Sequence, residues 1–268
     1  MKLPLNTHSF SNLIKSALAT ALAVSLVACP KKTETSATPA ADAGKELVVG
    51  TDAAYAPFES EQADKTITGF DIDVVNAIAA KAGLKVKFVN TPWEGIFTQL
   101  QNGDRDLLVS AITITDERKA TMDFSEPYFE AKQLIAVPKN SKVAKVDDLK
   151  PIKVGVQNAT TGDEAVQKIL GKTSNQIKRF ESIPLALKEL EAGGVDAVVA
   201  DNGVVNHYVA NNAVGFKTIE DASFKPEFYG IAVKKGNKAL VEKINEGLKA
   251  IKADGTYQNI YNKYFGAK

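Results

Sequence analysis

From residue 46 onward, short apolar runs of β character alternate with stretches whose apolar positions recur every three or four residues. Leu47-Val48-Val49-Gly50 reads as a strand. Residues 71–82 then place Ile72, Val75, Ile78 and Ala79 on one helical face, and Gly83 stands where a left-handed C-cap would close it. Residues 86–89 read as a strand, and 93–101 as a helix with Ile96, Phe97 and Leu100 inward and Gly103 beyond its end. The unbroken apolar run 107–112 has the pattern of a strand buried on both faces. A second cycle follows: strand 153–156, helix 163–170, strand 177–180, helix 184–192, strand 195–200. Such alternation predicts the α/β class, with parallel sheets and ligands at the carboxyl ends of the strands. Two further strand-like intervals, 134–139 and 229–234, bracket the second cycle and are expected to cross between two lobes. Helices at 239–253 and 257–264 would then return to the first lobe. The expected division is 46–135 with 230–268 for the first lobe and 136–229 for the second, and no internal repeat changes it.

The first 45 residues break this pattern. Lys2 and Lys15 are the only charged side chains before residue 31, and the short apolar run 17–28 follows them. Positive first, apolar second and small residues last is the layout of a secretory signal peptide, and the run is too short to stay as a membrane span. It stops at Leu26-Val27-Ala28-Cys29, and Cys29 is the only cysteine in the chain. That tetrapeptide resembles the lipobox of bacterial lipoproteins, which implies a thiol carrying diacylglycerol at the mature N-terminus. An ordinary cleaved signal with a chance cysteine is the alternative. With Cys29 lipidated, no thiol remains for disulfides, thiol catalysis or cysteine metal sites. Residues 30–44, rich in Ala, Thr, Lys and Pro without apolar periodicity, read as a flexible tether, so 29–45 joins lipid to globule.

Charge and motif tests exclude more than they suggest. The chain has 268 residues, 33 basic against 32 acidic, for a net +1. The signal segment carries two lysines and no acid, so the remainder is near −1, with nothing pointing to nucleic acid or a polybasic membrane surface. About 240 residues suit two compact lobes. Gly171-Lys172-Thr173 has Val166 where a phosphate loop needs its first glycine, and no Gly-x-Gly-x-x-Gly follows the first strand. His207 stands alone among Val204, Val205 and Val209, so no metal cluster can form round it. Asp147-Asp148 reads as solvated loop, and no cofactor is expected.

Several stretches carry a family likeness. They are Gly50-Thr51-Asp52-Ala53-Ala54-Tyr55-Ala56-Pro57-Phe58-Glu59, Gly69-Phe70-Asp71-Ile72-Asp73, Trp93-Glu94-Gly95, residues 112–118 ending Thr115-Asp116-Glu117-Arg118, Phe124-Ser125-Glu126-Pro127-Tyr128, residues 155–162 and residues 195–201. In this order they resemble the polar amino-acid-binding proteins, bacterial extracellular solute-binding proteins of family 3, over about residues 46–266. The resemblance implies a type II periplasmic-binding fold: two α/β lobes, joined by two crossing segments, that close over a free amino acid. It also implies a partner, the membrane permease of an ABC importer, with the membrane lipid reached through Cys29. Ala159 departs from the usual glycine of its stretch, but Asn158-Ala159-Thr160-Thr161 resembles a variant among arginine-, lysine- and histidine-binding members.

Ligand chemistry gives these positions roles. A buried carboxylate needs a fixed cation, and an arginine fork fits it. Arg118, in the first turn of a short helix begun by Thr115-Asp116, is the candidate; pairing on the surface with Asp116 or Glu117 is the alternative. Thr160 and Thr161 precede a helix start whose free N–H groups also favour a carboxylate, a role compatible with N-capping. Asp201, ending an apolar strand, would accept the ammonium or merely cap the next helix. Trp93, Tyr55 and Phe58 are candidate walls for the side chain; Trp93 and Phe58 fit the core as well. Ser110, Ala111 and Thr113 would give backbone and hydroxyl bonds, and the resemblance adds Gln157. Asp52 should face the distal end of the ligand.

The function expected is a monomeric amino-acid-binding component of an importer, located in the periplasm or at the cell surface, that works by closure without chemistry on its ligand. A basic ligand is favoured, with glutamine or another polar amino acid as the rival. A small dehydratase on the same fold would need a further acid or base beside the reacting atom, and a sensor module would need a transmembrane and signalling segment after Lys268.

Overall fold

The computed structural model describes residues 44–212 and 215–266. The expected signal peptide 1–28, Cys29 and the tether up to residue 43 lie outside the described residues. The chain enters through β1 (Glu46–Thr51), and a small antiparallel sheet of β2 (Ala54–Tyr55), β3 (Glu59–Glu61) and β4 (Ile67–Thr68) leads to α1 (Phe70–Ala82). That helix buries Phe70, Ile72, Val74, Val75, Ile78 and Ala79, and it ends at Gly83, whose φ of 64° lets its N–H bond back to Ala79. β5 (Lys85–Asn90), α2 (Ile96–Asn102), β6 (Leu107–Leu108), α3 (Asp116–Thr121) and β7 (Met122–Phe124) complete the first pass.

After β8 (Phe129–Ala131) comes the second lobe. It holds β9 (Gln133–Pro138), β10 (Val154–Gln157), α4 (Thr161–Leu170), β11 (Ile177–Phe180), α5 (Ile183–Glu191), β12 (Ala197–Asp201), α6 (Asn202–Asn212) and β13 (Phe216–Ile219). β14 (Glu227–Tyr229) leads back to β15 (Ala232–Lys234), α7 (Lys238–Ala253) and α8 (Thr256–Phe265).

Both sheets share one plan, ordered β5-β1-β6-β15-β7 and β11-β10-β12-β9-β13. In each, four strands run the same way, while β15 runs antiparallel to its neighbours in the first lobe and β9 does so in the second. The sheets are therefore mixed rather than parallel throughout. Helices cover both faces, so the central strands are apolar on both sides.

The crossings differ from expectation. Residues 134–139 and 229–234 supply β9 and β15, which lie inside the two sheets. The chain passes between lobes a few residues earlier, through the antiparallel pair β8 and β14, with Phe129 opposite Tyr229 and Ala131 opposite Glu227. Burial explains the shift: Leu134 to Val137 are all buried, as a strand covered on both faces requires, whereas Glu130 and Phe228 in the crossing pair face solvent.

Two other elements depart from the apolar pattern, and both border the site. β6 ends at Leu108 because Ala111 turns the chain at a φ of 46°. α2 begins only at Ile96, since Gly95 at φ 88° holds residues 93–95 in a turn and leaves Trp93 outside the helix.

Candidate functional site

Strand ends deliver the polar groups. Asp52 follows β1, Ser110 and Thr113 follow β6, Gln157 ends β10, Thr160 caps α4 and Asp201 ends β12. Together with Tyr55, Trp93, Ala111, Arg118 and Thr161 they line one cavity of about 320 Å³ between the lobes. Eleven of the twelve expected residues thus meet in one place.

Phe58 does not. It is fully buried behind Tyr55, edge-on to Phe70, Phe129 and Tyr229 at centroid distances of 6.0, 4.9 and 5.4 Å. Its ring belongs to the aromatic core that joins the crossing strands to α8, so the wall role expected for it is corrected to a packing role.

Arg118 sits in α3 as the residue pattern suggests, with Thr115 as N-cap accepting its backbone N–H at 3.1 Å. Its guanidinium donates to the Thr113 carbonyl at 2.9 Å and lies over the rings of Trp93 and Phe97, 5.4 and 5.1 Å from their centroids. No carboxylate among the described residues lies within ion-pairing distance of it, so the surface pairing with Asp116 or Glu117 is not formed. Burial lowers its pKa, opposed by the acids Glu164, Asp201, Glu227 and Glu117 around it. Beside it, the first-turn N–H groups of α4 at Thr161 and Gly162 have no acceptor inside the helix. A cation fixed on two aromatic faces and a helix N-terminus form a ready carboxylate clamp.

Two acids face the same cavity. Burial pushes Asp52 up to about 6, against the Gln157 amide, which donates to it at 3.1 Å, and the Trp93 backbone. Burial and then the nearby Glu227 push Asp201 up to about 6 as well. Asp201 accepts from the Tyr55 hydroxyl at 2.8 Å, the Tyr229 hydroxyl at 2.5 Å and the Gln133 amide. Several of these bonds span the lobes: Tyr55 to Asp201, Gln157 to Asp52, and the Trp93 indole N–H to the Ala159 carbonyl at 3.3 Å. They hold the cleft in a closed arrangement.

A second tier lies beneath the cavity floor. The Ser110 hydroxyl accepts the Asp52 N–H and donates to Glu59, each at 3.0 Å, and the Ala111 N–H donates to Asp71 at 2.8 Å. Gly69 brings these acids together, because a Cβ there would stand 2.0 Å from the Phe58 carbonyl oxygen. Glu59 and Asp71 are fully buried; burial and then the charge of Asp71 hold the Glu59 pKa well above its usual range. Reading the residues missed this tier, and it missed Phe97, Gln133 and Glu227 in the tier above. Glu59 and Asp71 stand inside the quoted family stretches, which is the only signal that marks them.

A wider groove of about 1820 Å³ is open and lies along α6 and α8, lined mainly by aromatic and amide side chains with Glu130 and His207.

A protein of Neisseria gonorrhoeae named "Probable histidine-binding protein" is 46 % identical over 245 residues, 91 % of each chain. The ABC transporter arginine-binding protein 1 of Escherichia coli is 34 % identical over 230 residues, 84 % of this chain and 93 % of that one. The solved structure of the arginine-, lysine-, histidine-binding protein ArtJ from Geobacillus stearothermophilus superposes with a TM-score of 0.81 at 47 % identity, covering 84 % of this chain and 96 % of that one. Residues 47–267 match the profile of one family throughout, and the chain belongs to the bacterial extracellular solute-binding proteins, family 3.

Proposed function

We propose that this protein is the substrate-binding component of an ABC importer and that its ligand is a basic L-amino acid: arginine, lysine or histidine. One observation carries the choice of ligand. The charged groups lining the cavity are Asp52, Asp201 and Arg118, an excess of one negative charge. A zwitterion satisfies Arg118 with its carboxylate and Asp201 with its ammonium, which leaves Asp52 for the side chain. A cationic side chain neutralises it; the neutral amide of glutamine leaves a buried charge uncompensated. The names of the relatives, histidine- and arginine-binding, support the same class.

In this reading the carboxylate takes the Arg118 fork and the amides at the start of α4. Trp93 and Tyr55 flank the side chain, Gln157 steadies Asp52, and Ser110, Ala111, Thr113, Thr160 and Thr161 supply the remaining polar contacts. Nothing in the scheme transforms the ligand. Membership of an extracellular family puts the protein in the periplasm or at the cell surface. A lipid on Cys29 would hold it there; Cys29→Ser should release it from the membrane fraction with affinity unchanged, and a serine variant that stays bound would refute the anchor.

Titrating the twenty amino acids by calorimetry tests the ligand. Arginine, lysine or histidine should bind tightest. Glutamine or glutamate binding at least as tightly as all three would overturn the specificity and leave the fold standing.

A further inference from the structure

Glu227 opens β14, on a crossing strand, outside the set of residues that line the cavity. Its carboxylate gathers groups from both lobes. Oε2 accepts the Thr113 hydroxyl at 2.9 Å and the Thr161 hydroxyl at 2.7 Å, and Oε1 accepts the Gln133 amide at 3.3 Å. Thr113 comes from the first lobe and Thr161 from the second, and both line the cavity on one side and an outer groove on the other. The outer groove also contains Glu227, so the three side chains form the partition between the two spaces.

A carboxylate has no proton to give, so each threonine must spend its single hydroxyl proton on Glu227. Toward the cavity the two oxygens then present lone pairs alone. Thr161 Oγ1 takes a further 3.3 Å bond from Gln133, which also donates to the adjoining Asp201. The corner formed by Asp201, Thr113 and Thr161 can accept protons but offers none from these side chains.

We propose that Glu227 is a positioning residue: by drawing both hydroxyl protons outward it makes this corner acceptor-only, and so selects the α-ammonium of the ligand. The inference rests on the reading that the cavity takes a free amino acid. It does not depend on which one, since all share that ammonium. Without an acceptor at position 227 the hydroxyls turn, and their protons meet the N–H donors of the ligand.

The test is a mutant cycle read by calorimetry, using L-arginine, L-lysine or L-histidine, whichever the unaltered protein holds tightest. Its arms are Glu227→Met, which keeps the bulk and removes the acceptor, Thr113→Val with Thr161→Val, and the three changes together. Glu227→Met should weaken binding about tenfold, and the triple variant should bind within about threefold of the double-valine one, because the carboxylate acts through hydroxyls already gone. The ligand-free Glu227→Met protein should keep its melting midpoint or raise it, since the charge beside Asp201 is relieved. Affinity within about twofold of the unaltered protein, or costs that multiply through the triple variant, would overturn the proposal. If Glu227→Met does not fold, Glu227→Ala serves the same cycle. If no basic amino acid binds the unaltered protein, the assigned ligand class fails instead, and the cycle is run with the amino acid that does bind.

Discussion

Arg118 is held by Thr113 and two aromatic faces but by no carboxylate among the described residues, so its charge is available to the carboxylate that every amino acid carries. Arg118→Ala should therefore weaken all amino-acid ligands alike. Removing one partner of a buried charge pair costs about 3–5 kcal/mol, or roughly two to three and a half decades in affinity. Calorimetry on the folded variant checks this, and near-native binding would contradict the clamp. At this scale the charged positions were legible because they stand at the ends of apolar strands: Asp52, Asp201 and, one short helix on, Arg118. Glu227, Gln133, Glu59 and Asp71 were not. Their partners lie far off in sequence, as Glu227 does from Thr113 across 114 residues, and no local periodicity records such a meeting. Phe58 shows the reverse error, since a conspicuous aromatic beside a binding motif can face away from it.

At the scale of elements, the stretch between β10 and α4 concentrates the unusual geometry. Ala159 holds a φ of 56°, a region that glycine adopts freely and alanine only at a cost of roughly 1 kcal/mol. Its carbonyl still receives the Trp93 indole across the cleft. Ala159→Gly keeps that carbonyl and removes the strain, while giving the unfolded chain more freedom. It should change stability by no more than about 1 kcal/mol, toward stabilisation, with affinity unchanged; thermal melting and calorimetry measure both. A melting point lowered by several degrees would mean that the alanine is not strained. Helices with a clear apolar stripe and a glycine end, such as α1, were legible almost to the residue. β6 and α2 were not, because Ala111 and Gly95 turn the backbone where apolar residues continue. The crossings were misplaced for a related reason: the pair that crosses is short and half exposed, and the stronger apolar runs beside it belong to the sheets.

For the whole molecule, the buried carboxyls link binding to pH. Asp52 and Asp201 stand at about 6, above their usual 3.8. A carboxyl whose folded pKa is raised contributes stability that is full below the unfolded value and lost as pH rises through the folded one. These groups therefore favour the ligand-free protein near pH 4 over pH 7. A cationic ligand needs them ionised, so its affinity should fall as pH drops from 7 to 5. Arginine is the suitable probe, since its own side chain stays charged across that range. Melting curves with and without arginine should show the stabilisation by ligand shrinking toward pH 5. A ligand-induced shift that is constant or larger at pH 5 would contradict the assignment of these acids to the ligand.

The central claim is that the unpaired negative charge at Asp52 selects a basic side chain, and the ratio of arginine to glutamine affinity at pH 7.5 tests it most directly. The unaltered protein should prefer arginine by at least about tenfold, since a cation against a buried carboxylate gains a charge-assisted bond that a neutral amide does not match. Asp52→Asn, which keeps the shape and removes the charge, should collapse that ratio toward one by weakening arginine. A ratio that Asp52→Asn leaves unchanged, or a preference for glutamine in the unaltered protein, would contradict the account.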